Sequence, residues 1–392
     1  MIRAPRSVAA PVLVLWLVLA ACAPRGEITV RPDAAEVGRV ETVFVATNRA
    51  IDPATGSFGP GRSETASFAR FAIAVPPDRE PGTIAFPRDP ARADPRRDFL
   101  TVDRELYPDA RAFRAALGEA LRARPASQRD VVIYVHGFNN TFAEGLYRIA
   151  QLSSDLRAPA VAVHYSWPSL GNALGYVHDR DSMLLSRDGL EALIRDVSQA
   201  GGRRILLVGH SMGAALTMEA LRQIAIRGDR RLLGDIDGVM LISPDIDVDV
   251  FRSQARAIGD LPEPFVIFGS NRDRWLSLSA RLTGEQARLG NLTDVTAIAD
   301  LRVMVLDVAA VGGPGHFAVG DSPALLNLLG QIGDLDQAFG RDTRGRTGLL
   351  PGVVLTVQNA TQVVLAPVVA LDQATRRRPL APAAPQVEVE RP

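Results

Sequence analysis

Short, wholly apolar runs alternate with longer stretches in which apolar residues recur at helical spacing. The short runs are typical of strands buried on both faces, and the longer ones of amphipathic helices that cover a sheet. We predict strands at 41–47, 68–75, 131–135, 160–164, 205–208, 238–242, 265–268 and 301–306, and helices at 110–122, 141–156, 182–199 and 248–257, with a further helix directly after Ser211. This alternation predicts an α/β fold, in which a mostly parallel twisted sheet has helices on both faces.

The pattern also suggests where this domain begins and ends. Residues 22–40 are polar and predict a tether, so the domain itself is expected over 41–345. Within the last segment, 346–392, residues 349–371 are apolar, but Pro351, Pro367 and several amides argue against a membrane span. A Pro- and Ala-rich end follows, and we therefore predict a C-terminal tail that is largely disordered.

The amino terminus has the pattern of a secretory signal. Arg3 and Arg6 precede an uncharged, apolar stretch. This stretch ends in Leu19-Ala20-Ala21-Cys22, which resembles a bacterial lipobox and implies a lipoprotein signal peptide over 1–21 and lipidation of Cys22. The chain would then be anchored to a membrane in the bacterial cell envelope, at the outer membrane or facing the periplasm. Ordinary cleavage with secretion, or an uncleaved amino-terminal anchor, are the alternatives.

Composition excludes several partners. The 44 basic and 44 acidic side chains balance, so no overall positive field favours nucleic acid. The sequence has neither a His/Cys ligand cluster nor a phosphate-binding loop, so we predict no metal and no cofactor. The acidic run that begins at Asp245 suggests a calcium loop, but that reading fails because Val250 and Arg256 stand where glycine and glutamate are required.

The strongest chemical signal is Gly209-His210-Ser211-Met212-Gly213. It follows the apolar run 205–208 and precedes a helical pattern, as expected for a nucleophile turn between a strand and a helix. Glycine on either side removes side chains that would collide there, which leaves the Ser211 hydroxyl exposed at the edge of the sheet. We therefore predict that Ser211 is a catalytic nucleophile; a structural helix cap would not need both glycines.

A nucleophilic serine needs a base, which in turn needs an orienting acid. In hydrolases with a nucleophile turn of this kind, the order along the chain is serine, acid, histidine. His316 lies past the last predicted strand and fits that order, and His178 is the second candidate. For the acid, Asp273 follows the predicted strand 265–268 and Asp245 follows the one before it. Both positions suit the fold; we favour Asp273 and keep Asp245 as the alternative.

Two backbone N–H groups would form the oxyanion hole. One belongs to Met212, directly after the nucleophile. The other belongs to Phe138, in the turn His136-Gly137-Phe138-Asn139 that follows an early strand.

Together, these motifs resemble the α/β-hydrolase superfamily. Further stretches, such as Val45-Ala46-Thr47-Asn48-Arg49 and Ser166-Trp167-Pro168-Ser169, resemble a branch of mostly uncharacterised bacterial secreted or lipid-anchored serine hydrolases over residues 40–325. The resemblance implies that Ser211, Asp273 and His316 act as nucleophile, acid and base.

From this we expect a carboxylic ester hydrolase that acts through an acyl-enzyme on a small-molecule or envelope ester. A serine peptidase or amidase, and an inactive envelope scaffold, are the alternatives. Between Ile242 and the next predicted strand the chain has room for only one short helix. We therefore expect a site without a large mobile cap, rimmed by residues 166–180.

Overall fold

The computed structural model describes residues 25–157, 159–284, 288–291, 295–309, 318–322, 353–359 and 362–367. The predicted signal peptide 1–21, Cys22, His316 and most of 346–392 lie outside these ranges.

The secondary structure alternates as the hydrophobic pattern predicts. The strands are β1 (Arg39–Asp52), β2 (Ser57–Val75), β3 (Leu100–Tyr107), β4 (Val131–Val135), β5 (Val161–Ser166), β6 (Ile205–His210), β7 (Ile236–Ile242), β8 (Phe265–Gly269), β9 (Met304–Asp307), β10 (Val353–Asn359) and β11 (Gln362–Pro367). The α-helices are α1 (Ala110–Arg122), α2 (Phe142–Leu156), α3 (Tyr176–Leu185), α4 (Arg187–Gln199), α5 (Met212–Ile226), α6 (Arg230–Gly234), α7 (Val248–Ile258), α8 (Arg274–Leu282) and α9 (Ala318–Asp321). Short 3-10 helices occur at Pro32–Glu36, Pro90–Arg92, Ala126–Gln128, Leu289–Asn291 and Val295–Ile298.

All eleven of these strands belong to one sheet, in the order β11-β10-β9-β8-β7-β6-β4-β5-β1-β2-β3. The strands from β10 to β1 in this order pair in parallel, while β2, β3 and β11 pair antiparallel with their neighbours. The prediction of a mostly parallel sheet with covering helices is therefore confirmed. Because β4, β6, β7 and β8 run in the same direction, the loops that follow them meet at one edge of the sheet.

The core has two layers, because successive strand residues point to opposite faces. Ile133 of β4 packs in one cluster with Leu193 of α4, Leu216 of α5 and Phe251 of α7. The next residue, Tyr134, packs in a second cluster that includes Leu146 of α2. Helices therefore cover both faces, as the wholly apolar central strands predict.

The structure differs from the sequence expectation in a few elements. The helix predicted at 182–199 is two helices that meet at Ser186, and β3 was not predicted. Residues 25–40, predicted as part of a tether, lie against the domain: Val30 bridges to Thr101, and Ala34 is fully buried. Strands β10 and β11 lie within the predicted tail and extend the sheet beyond β9.

Candidate active site

Ser211 lies in the turn between β6 and α5, at the carboxyl edge of the sheet. Its backbone has φ +54° and ψ −120°, a conformation that a residue with a side chain rarely adopts. Three backbone hydrogen bonds fix the turn. The Ser211 N–H donates to the Ile242 carbonyl at 2.9 Å, and the Ser211 carbonyl accepts from Ala214 at 3.0 Å and from Asp245 at 3.2 Å. The strand–turn–helix arrangement predicted for the nucleophile is therefore present.

The two glycines of the motif relieve two different collisions. A methyl group on Gly213 would lie 2.4 Å from the Val135 carbonyl oxygen and 2.3 Å from that of His136. A methyl group on Gly209 would lie 2.7 Å from Cα of Ala214 in the first turn of α5. Gly209 thus lets α5 fold back onto β6, and Gly213 lets α5 approach the end of β4.

The turn after β4, residues 136–140, lies beside Ser211 and is called the oxyanion loop below. Strands β4 and β6 are neighbours, and Val135 pairs with Gly209. A methyl group on Gly137 would lie only 2.9 Å from Cβ of Ser211. Gly137 thus holds the turn against Ser211, and Phe138 is the next residue of that turn.

Arg49, at the end of β1, supports this loop from inside the protein. Its side chain donates to the carbonyls of Asn140 at 2.8 Å and Ser169 at 2.9 Å, and to Ser166 Oγ at 2.9 Å. Arg49 is only 1% exposed, and burial lowers the pKa of its guanidinium to about 9. Arginine is rarely buried, so the sequence marked Arg49 only as part of the stretch 45–49.

Asp179 of α3 supports the same loop from the other side. Its carboxylate accepts from Ser169 Oγ at 2.5 Å and from the Leu170 N–H at 2.8 Å, and it lies 3.5 Å from the Asn139 N–H. Asn139 itself has φ +57°. The buried charged side chains of Arg49 and Asp179 therefore hold both the oxyanion loop and the segment after β5 in place.

His136 fills the space beneath the loop. Its ring stacks on Trp167 at 4.9 Å, and Nδ1 and Nε2 lie 2.8 Å and 3.0 Å from the carbonyl oxygens of Gly137 and Trp167. Burial lowers the pKa of His136 well below its usual value, and the neighbouring charge of Arg49 adds to this effect. A neutral imidazole in this position serves the structure of the loop.

The carboxylate of Asp245 is already engaged by three side chains. Its Oδ2 accepts from the Tyr176 hydroxyl at 2.9 Å, and its Oδ1 accepts from Ser279 Oγ at 2.5 Å and lies 3.3 Å from Nε of Arg288. Burial and the charge of Asp245 together raise the pKa of Tyr176 to about 12. Asp245 therefore joins α3 and α8 to the segment behind the nucleophile.

Asp273 directly precedes α8, after β8. Its Oδ1 accepts from the N–H groups of Trp275 at 3.0 Å and Leu276 at 3.2 Å, as a helix-capping carboxylate does. The residue is 3% exposed. These two bonds fix the orientation of the carboxylate.

Of the two candidate bases, His316 lies outside the described residues. His178 lies on α3, where its Nδ1 is 3.3 Å from Ser182 Oγ and 3.5 Å from the Asp179 carboxylate. Ser211 is 2% exposed, so the hydroxyl predicted to be exposed belongs to a buried residue.

A cavity of about 470 Å³ opens beside the oxyanion loop, which it meets at Asn140. Its other lining residues are Gly82, Thr83, Ile84, Phe86, Glu144, Arg148 and Asp321. Two ion pairs border it, one between Arg148 and Asp321 at 2.9 Å and one between Glu144 and Arg25 at 2.5 Å.

The described residues contain no cluster of metal-binding side chains and no membrane-spanning helix. Nowhere in the described ranges do three or more His, Cys, Asp or Glu side chains gather as a metal site would require. None of the helices in these ranges is both long and apolar enough to cross a membrane.

Comparison with known proteins gives a family and a fold. Residues 109–308 match the family described as "Alpha/beta hydrolase of unknown function (DUF900)". Among curated proteins, none matches the sequence.

Solved structures similar to this chain include hydrolases. A predicted cell surface hydrolase from Lactobacillus plantarum WCFS1 is 11% identical, with a TM-score of 0.34, and the match covers 55% of this chain and 98% of that one. A structure from a study of two esterases of the fungus Rhizomucor miehei is 12% identical, also with a TM-score of 0.34, and the match covers 86% and 94%.

Proposed function

Since the chain belongs to a family of α/β hydrolases, we propose that it is a serine hydrolase that cleaves carboxylic esters through an acyl-enzyme on Ser211. The observation that carries the proposal is the backbone of Ser211. It holds φ +54° at the turn from β6 to α5, with Gly137 packed against its Cβ. A capping serine needs neither this conformation nor a neighbouring loop at such close range.

The reaction follows from this arrangement. Ser211 Oγ attacks the ester carbonyl and loses its proton to a base, which then passes that proton to the departing alcohol. The N–H groups of Met212 and Phe138 receive the developing negative charge on the carbonyl oxygen. Water then attacks the acyl-enzyme and gives up a proton to the same base. The base returns that proton to Ser211 Oγ as the bond between the acyl carbon and Oγ breaks and the acid leaves. We assign the base to His316, on its position in the chain.

We assign the orienting acid to Asp273. Both carboxylate oxygens of Asp245 already have partners, one of them the cation of Arg288. Asp245 therefore holds the fold around the nucleophile. Asp273 follows β8, the strand nearest in sequence to the one before His316, and two N–H groups at the amino terminus of α8 orient its carboxylate.

The test of the nucleophile is covalent labelling with a fluorophosphonate, together with hydrolysis of p-nitrophenyl acetate and of a p-nitroanilide. We expect wild type to be labelled and to cleave the ester, and Ser211→Ala to do neither while it remains folded. Labelling that survives in Ser211→Ala would refute the assignment. If the protein hydrolysed the anilide and not the ester, the proposed activity would change from esterase to amidase.

The acid is tested by comparing Asp273→Asn with Asp245→Asn. Loss of the orienting carboxylate lowers kcat about 10⁴-fold in a well-studied serine protease, and we expect Asp273→Asn to behave similarly with little loss of stability. Asp245→Asn should mainly lower the free energy of unfolding, because Arg288 would lose its partner. The reverse pattern would assign the acid to Asp245.

The location is a separate proposal. The lipobox at residues 19–22 supports a lipoprotein held in the cell envelope through Cys22. Mass spectrometry of the mature chain, purified with its own signal sequence, would detect acyl chains on Cys22.

A further inference from the structure

The chain enters the folded domain directly at the oxyanion loop. The guanidinium of Arg25 donates to the Asn139 carbonyl at 2.6 Å, to Asn139 Oδ1 at 2.8 Å and to both carboxylate oxygens of Glu144. The next residue, Gly26, accepts a hydrogen bond from Thr141 Oγ1 at 3.0 Å. The start of the described chain is thus fixed on the oxyanion loop and on the beginning of α2.

Cys22 lies only three residues before Arg25. A fully extended residue spans at most about 3.6 Å, so an anchor on Cys22 would be joined to Arg25 by a linker no longer than about 11 Å. Acyl chains on Cys22 would therefore enter a membrane close to the oxyanion loop. A short linker cannot carry the anchor to the opposite end of the sheet.

The segment next to this point exposes apolar side chains. Gly171 packs on Asn140 and Thr141, since a methyl group on it would lie 3.1 Å from Thr141 Cγ2 and 3.8 Å from the Asn140 carbonyl carbon. Leu174 is 94% exposed and Val177 is 75% exposed, and Leu170 between them and the loop is 37% exposed. We call Leu170, Leu174 and Val177 the apolar rim.

Helix α8, which contacts α3, exposes further apolar side chains. Tyr176 lies between Leu174 and Val177, and its hydroxyl is 3.0 Å from Ser279 Oγ on α8. Helix α8 exposes Trp275 and Leu278, each by nearly half. Contiguous exposed apolar side chains mark surfaces that bind a partner or a membrane.

We infer that the edge of the sheet that bears Ser211 faces a lipid bilayer, with the apolar rim in contact with it, and that the enzyme takes its ester substrate from that membrane. This inference rests on the proposed function and on the proposed anchor. A bilayer is the occupant that the chain itself supplies, because the segment that would carry the anchor and the segment that carries the rim both contact Thr141, through Gly26 and Gly171. One acyl chain binds a membrane only marginally, and a second contact makes the attachment firm.

The substrate class follows from this orientation. An ester held in the membrane, such as an acylated glycerol, would reach Ser211 across the apolar rim without passing through water. The apolar rim would not increase the turnover of a soluble ester. The ratio of turnover on a membrane ester to turnover on a soluble ester therefore reports on the rim.

The orientation is tested without any use of catalysis. Lipidation consumes the Cys22 thiol, and Cys22 is the sole cysteine, so Leu174→Cys can carry a single fluorescent label in the full-length lipoprotein. The matched control is Ile226→Cys, on a residue 61% exposed at the far end of α5. In vesicles of phosphatidylethanolamine and phosphatidylglycerol, brominated acyl chains should quench the label at 174 and leave the label at 226 unchanged. Equal behaviour of the two labels overturns the inference, as does an unmodified Cys22.

The substrate class is tested with diacylglycerol in the same vesicles and with p-nitrophenyl acetate in solution. Changing both Leu174 and Val177 to serine removes most of the rim, and we expect the vesicle-to-soluble ratio to fall about tenfold. Ile226→Ser should leave this ratio unchanged. A ratio unaffected by the rim variant refutes the membrane substrate. Quenching at 174 in a protein that cleaves neither ester would refute the proposed function and leave the orientation standing.

Discussion

At Gly213 the first turn of α5 passes so close to the end of β4 that even a methyl group lacks space. The obstruction is the backbone of Val135 and His136, which cannot move aside as a flexible side chain can. The need for glycine on both sides of Ser211 was predictable from the motif. The atoms that Gly213 avoids were not, because they belong to the end of β4 and the residue after it, far away in the sequence.

Gly213→Ala should therefore lower the free energy of unfolding by about 1–3 kcal/mol, the usual cost of overpacking. Urea denaturation followed by circular dichroism measures the change. The control is Gly234→Ala at the end of α6, where a methyl group would meet nothing within 4 Å. That variant should stay within about 0.5 kcal/mol of wild type. Equal losses in the two variants would contradict the close approach of α5 to β4.

His164 on β5 is a buried histidine outside the proposed chemistry. Its Nδ1 lies 3.1 Å from the Tyr134 carbonyl oxygen, and its Nε2 faces Gly145 of α2 without a hydrogen-bond partner in the described structure. Burial lowers its pKa to about 3. The sequence placed this residue at the end of a strand, but its protonation depends on the helix packed above it.

The pKa of His164 predicts a dependence of stability on pH. Between about pH 3 and 6.5 the unfolded chain binds a proton at this residue that the folded chain does not, so stability must fall as the pH falls through this range. The contribution of His164 is about 1 kcal/mol per pH unit. His164→Gln should show a shallower loss of unfolding free energy than wild type between pH 6 and 4 when both are unfolded in urea. Parallel pH profiles would contradict a neutral His164.

At the scale of elements, three segments meet at Arg49: the end of β1, the segment after β5 and the oxyanion loop. The guanidinium donates to the carbonyl oxygens of Gly59, Ser169 and Asn140. A buried carbonyl without a donor is costly, so this side chain fixes how the segments lie against one another.

Arg49→Met should lower the free energy of unfolding by about 3 kcal/mol, because several buried carbonyls lose their donor. In the fraction that remains folded, kcat on a soluble ester should fall about tenfold to a hundredfold, since a small displacement of the oxyanion loop misaligns the reacting groups. Arg92→Met serves as the control, because the Arg92 side chain is 87% exposed. A fully active, stable Arg49→Met would show that the loop holds its position without this residue.

Elements whose apolar pattern follows from local burial were predicted well, as α1 and β4 show by matching their predicted bounds. The long helix predicted at 182–199 includes a break at Ser186, because the helical spacing continues through α3 and α4 while the backbone turns. The motif placed Ser211 correctly in a turn between a strand and a helix. It could not reveal Arg49 or the ion pair of Asp245 with Arg288, because buried charges become recognisable only once distant segments surround them.

At the scale of the whole molecule, the amino-terminal segment belongs to the domain. Thr101 of β3 donates to the Thr29 carbonyl at 2.9 Å, and its own carbonyl accepts from Arg31 at 2.8 Å. Ala34 lies in a small core with Leu100. Polar composition suggested a tether because composition does not record backbone hydrogen bonds such as these.

Deleting residues 1–38 should therefore lower the free energy of unfolding by about 2–4 kcal/mol relative to deleting residues 1–24, through lost hydrogen bonds and lost burial. Thermal unfolding of the two shortened chains measures the difference. If both unfold at the same temperature, residues 25–38 contribute nothing to the domain.

The backbone of Ser211 has a consequence for the molecule as a whole. At φ +54° and ψ −120° the conformational energy of serine is higher than that of glycine. The fold therefore tolerates roughly 1–3 kcal/mol of backbone strain at this one position. The apolar layers above and below the sheet hold the residue there. A chain selected only for stability would have glycine at position 211 and would lack this hydroxyl group. Under the proposed function, side chains that never contact a substrate thus keep the nucleophile in place.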